Sequence, residues 1–96
     1  MKKYEIMYIV RPNLSDEERA AVVQKFNEVL TADKKTEVKT EELGQRELAY
    51  EIKKFRSGYY YVLEVETASE DAIKEFDRLA LISTDIIRHL ITKRED

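Results

Sequence analysis

The single imidazole of the chain, His89, lies within the apolar run Ile86-Ile87-Arg88-His89-Leu90-Ile91. A histidine can relay protons or ligate a metal near neutral pH. Each use needs company: a nucleophile and carboxylate for acyl transfer, or further histidines or thiolates for zinc. The sequence has no Cys and no second His. Disulfide frameworks, thiolate metal sites and cysteine nucleophiles are thereby excluded, and His89 is expected as a packed or rim side chain. The paired carboxylates Glu17-Glu18 and Glu41-Glu42 fall in capping or loop settings, where a helix dipole or solvent suffices. Two isolated glycines, Gly44 and Gly58, cannot build a phosphate cradle. The sequence therefore implies no catalytic residues, no metal and no cofactor.

The chemistry that remains is charge. Lys53, Lys54 and Arg56, with Arg46 further upstream, are the best candidates for phosphate contacts, followed by Arg88, Lys93 and Arg94. Lys34 and Lys35 are offset by Asp33 and Glu37 and are expected as solvated loop. The whole chain of 96 residues carries a net charge of −3, which by itself argues against nucleic acid. Its distribution says more. Lys2, Lys3 and Arg11 against Glu5 give residues 1–12 a charge of +2, residues 45–56 also carry +2, and residues 86–94 carry +3. Residues 15–30 and 69–85 carry −2 and −3. Six tyrosines offer rings for base stacking. The Tyr59-Tyr60-Tyr61 run is better explained by β propensity, and the glycine-aromatic signature of an RNA-recognition motif is lacking.

These residues need elements to position them. Residues 4–10 are rich in β-branched and aromatic types and stop at Pro12, which cannot donate to a sheet ladder. Ser15 with Glu18 three residues on is a capping box, and Val22, Val23, Phe26, Val29 and Leu30 recur at helical spacing over 16–31. Residues 32–39 suggest a loop, and Val38–Lys54 an extended strand. Phe55-Arg56-Ser57-Gly58 then supplies a turn in which Gly58 takes positive φ. Residues 59–66 return as a strand. Thr67 or Ser69 caps a second helix bearing Ala72, Ile73, Phe76, Leu79 and Ala80, and 86–93 form a last strand.

The order β-α-β-β-α-β is the split βαβ, ferredoxin-like plan of the α+β class: a four-stranded antiparallel sheet with two helices on one face. Ninety-six residues suit one domain spanning 1–96. On this plan the acidic segments are the helices, so the uncovered sheet and its rim are expected to be comparatively basic. Met7, Ile9, Tyr60 and Val62 alternate onto that uncovered side beside Glu5, Glu64 and Glu66. Exposed apolar patches of this kind usually mark a partner surface. The same plan also serves small acyl-phosphate hydrolases, which would use Arg11 as a phosphate clamp. Val10-Arg11-Pro12-Asn13-Leu14 lacks their glycine, and fold alone assigns no function. No apolar run approaches the ~20 residues of a membrane span. The start, Met1-Lys2-Lys3-Tyr4-Glu5, does not resemble a signal peptide, so a cytoplasmic location is expected.

Several stretches together resemble a known family. These are Tyr4-Glu5-Ile6-Met7-Tyr8-Ile9-Val10-Arg11-Pro12-Asn13-Leu14, Leu43-Gly44-Gln45-Arg46-Glu47-Leu48-Ala49-Tyr50-Glu51-Ile52, Gly58-Tyr59 and Ile86-Ile87-Arg88-His89-Leu90-Ile91-Thr92-Lys93. The family is that of the sixth protein of the bacterial small ribosomal subunit. The resemblance implies a non-enzymatic structural constituent of the ribosome. It also implies partnership with the eighteenth small-subunit protein, the pair binding the central domain of small-subunit ribosomal RNA. On that reading Lys2, Lys3, Arg46, Lys53, Lys54, Arg56, Arg88, Lys93 and Arg94 are the RNA-contact candidates. Met7, Ile9, Ala49, Tyr50, Tyr60 and Val62 are the protein-partner candidates. The alternative is a free-standing regulatory or ligand-binding module of the same fold.

Overall fold

A computed structural model describes residues 2–32, 36–68 and 70–94. The chain runs β1 (Lys2–Val10), α1 (Asp16–Thr31), β2 (Thr36–Ile52), β3 (Phe55–Thr67), α2 (Asp71–Ile82) and β4 (Ile86–Arg94). The strands form one antiparallel sheet in the order β2-β3-β1-β4, which places the first and third strands at its centre. This is the expected ferredoxin-like arrangement.

Strand alternation decides which side chains meet the helices. Tyr4, Ile6, Tyr8 and Val10 of β1 and Tyr61, Leu63 and Val65 of β3 are buried with Phe26 and Leu30 of α1 and Ala72, Ile73, Phe76 and Ala80 of α2. Tyr8 is the hub: its ring stacks on Tyr61 at 5.3 Å and lies 6.1 and 5.9 Å from Phe26 and Phe76. Burying each such ring contributes about 1.5–3 kcal/mol. Helix α1 opens with the expected capping box: the Glu18 backbone N–H donates to Ser15 Oγ and the Ser15 N–H to Glu18 Oε1, both at 3.2 Å.

Three expectations are corrected. The hairpin turn is the two-residue Lys53–Lys54 connection closed by the Ile52–Phe55 pair, with φ of 49° and 70°. Gly58 sits inside β3 instead, where a Cβ would lie 2.3 Å from Ile9 Cγ2, so it is required for close approach and not for a turn. Helix α2 has Glu70 at its N-cap position with no side-chain cap, while Thr67 ends β3 and its hydroxyl accepts from Thr36 at 2.9 Å. Ser69, and residues 33–35 of the expected loop with Lys34 and Lys35, lie outside the described residues.

Candidate nucleic-acid and partner interface

The face of the sheet opposite the helices is built row by row from the pairing register. Arg94, Lys3, Glu66 and Glu37 lie side by side, then Thr92, Glu5, Glu64 and Lys39, then Leu90, Met7, Val62 and Glu41, then Arg88, Ile9, Tyr60 and Gly44. The face therefore grades from charged to apolar along the strands. Five carboxylates (Glu5, Glu37, Glu41, Glu64, Glu66) outnumber four cations (Lys3, Lys39, Arg88, Arg94), so it is not basic as the segment charges suggested. The reason is alternation: charge summed along a strand mixes two faces. Glu5 and Glu64 stand directly opposite each other, and the Arg94 guanidinium donates to Glu5 at 3.4 Å.

The apolar end is not bare. Between the Glu47–Ser57 and Ile52–Phe55 pairs, residues 48–51 of β2 face only Arg56 of β3, so the strand bulges and curls over the sheet. Tyr50 reaches from this outer strand to the opposite edge, where Arg88 of β4 donates to its hydroxyl at 3.3 Å. The result is a hollow of about 200 Å³ lined by Met7, Ile9, Leu48, Ala49, Tyr50, Ile52, Tyr60, Arg88 and Leu90. Five of the six partner candidates (Met7, Ile9, Ala49, Tyr50, Tyr60) line it, and Val62 adjoins it opposite Met7. Ile9 differs from expectation: the curl of β2 and the close approach of Gly58 leave it buried, 3% exposed. Tyr50 and Leu90 stay 65% and 56% exposed at the rim.

The nine cations expected to contact RNA do not form one surface. Lys2 and Lys93 lie by Glu70, on the helix side. Lys2 Nζ and Tyr4 Oη both donate to Glu70 Oε1, at 3.0 and 3.2 Å, and Lys2 lowers the Glu70 carboxyl below its ordinary range by hydrogen bond and charge, with a lesser contribution from Lys93. Lys3, Arg88 and Arg94 belong to the open face. Arg46, Lys53, Lys54 and Arg56 occupy the far arm of the β2–β3 hairpin, all exposed.

The side chains that invited chemistry are engaged structurally. Arg11 donates from Nε to Asp85 at 2.9 Å and from Nη1 to Asn13 at 2.9 Å, and its backbone N–H bonds the Asp85 carbonyl. That clamp ties the end of β1 to the start of β4 and occupies the guanidinium a phosphate would need. His89 Nε2 lies 2.7 Å from Asp77 Oδ1 with its side chain 12% exposed, joining β4 to α2. Arg19, unmarked in the sequence, donates to Tyr61 Oη and Asp16 and stacks 3.8 Å above the Tyr59 ring. Only its position one turn inside an amphipathic helix could have drawn attention to it. Among the described residues, no group of three or more His, Cys, Asp or Glu is placed to hold a metal.

A family model described as ribosomal protein S6 matches residues 3–93. Among solved structures, the 30S ribosomal protein S6 of Thermotoga maritima matches with a TM-score of 0.88 at 32% identity, over 97% of this chain and 87% of that one. A protein of Arabidopsis thaliana matches with a TM-score of 0.63 over 100% of this chain and 95% of its own, but at 10% identity that likeness concerns the fold alone.

Proposed function

This chain belongs to the ribosomal protein S6 family and is a structural component of the small ribosomal subunit, and we propose that it works there as half of a protein pair. In this reading its partner is the eighteenth small-subunit protein, and the two together bind the central domain of the small-subunit ribosomal RNA. The observation that carries the pairing is the open face: an apolar hollow adjoining a strip of carboxylates, on a chain of net charge −3. Such a face suits a basic partner that seats an apolar side chain in the hollow and lays its cations along Glu5, Glu64 and Glu66. A chain of this charge gains little from RNA alone, because affinity grows with the number of phosphates neutralised. The partner supplies the missing charge.

RNA contacts are drawn from Arg46, Lys53, Lys54 and Arg56 on the hairpin arm, from Lys2 and Lys93 on the helix side, and from Lys3, Arg88 and Arg94 on the open face. Met7, Ile9, Ala49, Tyr50, Tyr60 and Val62 hold the partner. Calorimetric titration of this chain with the eighteenth small-subunit protein tests the pairing. A one-to-one complex is expected, weakened by ~2 kcal/mol or more in Met7→Glu/Val62→Glu, a loss of hot-spot size. Unchanged affinity in a folded double variant refutes this docking face.

A further inference from the structure

We propose that the Lys53–Lys54 turn is held in an unfavourable backbone conformation in order to present two ammonium groups to RNA phosphates, and that this hairpin tip carries more of the RNA-binding charge than the sheet face. The inference rests on the ribosomal RNA reading above and sharpens it.

Two independent observations lead there. The first is backbone geometry. A two-residue hairpin connection of type I′ needs positive φ at both central residues, which Asn-Gly or Asp-Gly adopts readily. Here both positions are lysines, at φ 49° and 70°, where a Cβ crowds the following carbonyl. They are the two positive-φ residues other than glycine among those described. A strained conformation that persists against easy alternatives points to a use for the side chains.

The second is charge pairing. Lys2 is paired with Glu70, Arg94 with Glu5, and Arg88 is bonded to Tyr50, while Lys3 is likewise engaged. Lys93, across from Tyr4 on the helix side, has no ion pair among the described residues but stands by the carboxylate that Lys2 holds. Among the described residues, Lys53, Lys54, Arg46 and Arg56 have no carboxylate at ion-pair distance. An engaged cation must give up its partner to meet a phosphate, whereas a free one exchanges only condensed counterions. The hairpin arm curls over the face opposite the helices, where Ile52 lines the hollow, and Lys53 and Lys54 stand exposed at its tip.

The test compares wild type, Lys53→Asn/Lys54→Gly and Lys53→Arg/Lys54→Arg, each as the full chain mixed with the eighteenth small-subunit protein and titrated onto a central-domain RNA fragment over a salt series. The Asn-Gly variant should melt higher, by about 4–8 °C for each kcal/mol of strain relieved. It should bind RNA roughly 10- to 30-fold more weakly, with a log–log salt slope shallower by about 2, while the Arg variant keeps wild-type affinity. Arg94→Ala should change the slope by less. An Asn-Gly variant with unchanged RNA affinity and slope overturns the inference and leaves the RNA reading standing. Loss of association with the partner protein, in place of RNA, overturns it also by making the tip a protein contact. Absence of RNA binding by the wild-type pair sinks the RNA reading itself.

Discussion

Replacing Gly58 by Ala puts the packing account at risk at one atom. An alanine Cβ there would stand 2.3 Å from Ile9 Cγ2, 3.0 Å from the Val10 carbonyl oxygen and 3.4 Å from Ile87 Cδ1. Ile9 and Ile87 are 3% and 4% exposed, so neither methyl can swing into solvent. Alanine in a strand gains ~0.5–1 kcal/mol over glycine from the unfolded chain's lost freedom. Overpacking a filled site costs about 1–3 kcal/mol. Overlap with a methyl that cannot move puts that cost at about 2–3 kcal/mol, so the balance is a loss of ~1–2.5 kcal/mol, with the melting temperature lowered by about 4–8 °C per kcal/mol. Urea unfolding followed by circular dichroism measures it. The clash names its own partner: Ile9→Leu removes the Cγ2 methyl, so Gly58→Ala should cost at least ~0.5 kcal/mol less in that background. Because Ile9 also lines the hollow, Gly58→Ala should weaken partner binding as well. A Gly58→Ala variant as stable as wild type, or one whose cost is the same with Leu at position 9, refutes the reasoning.

Three further outcomes follow from the core and the first helix. The buried Tyr8 hydroxyl has no hydrogen-bond partner among the described residues, so Tyr8→Phe should be neutral or more stable by up to ~1 kcal/mol in urea. Burial raises the Tyr8 and Tyr61 phenols above their ordinary 10.0, so the folded chain keeps protons that the unfolded chain releases; stability is complete below pH 10 and falls as pH climbs above it. Melting curves across that range should show the fall, and Tyr8→Phe should reduce it. Ser15→Ala removes the Oγ that accepts the Glu18 N–H, while the backbone N–H at position 15 can still donate to the Glu18 carboxylate; the lost cap should cost ~1 kcal/mol, seen as a lower urea midpoint with an unchanged slope.

The sequence and the structure agree where local rules govern. The β1 alternation, the Ser15–Glu18 cap and the Phe26 and Phe76 stripes each arise from neighbours a few residues apart, and each is found as expected. Disagreement begins where distant segments meet. Gly58 signalled a turn because glycine tolerates positive φ, but its use is the approach of Ile9 from β1. In the curl of residues 48–51 Tyr50 meets Arg88, 38 residues away, and the stretch Leu48-Ala49-Tyr50-Glu51 carries no trace of so distant a partner. The partner candidates nevertheless converged, since Met7, Ile9 and Tyr60 share a face by parity and Ala49 and Tyr50 are brought to them by the bulge. The cations did not converge, because segment sums ignore both alternation and the ion pairs that engage Lys2 and Arg94.

Whether this acidic chain binds ribosomal RNA as one of a pair can be read from a gel-shift titration. Central-domain RNA is titrated at fixed salt with this chain alone, with the eighteenth small-subunit protein alone, and with both. A tight complex is expected only when both are present, containing one copy of each. A shift by this chain alone that the second protein leaves unchanged, or no shift by the mixture, contradicts it.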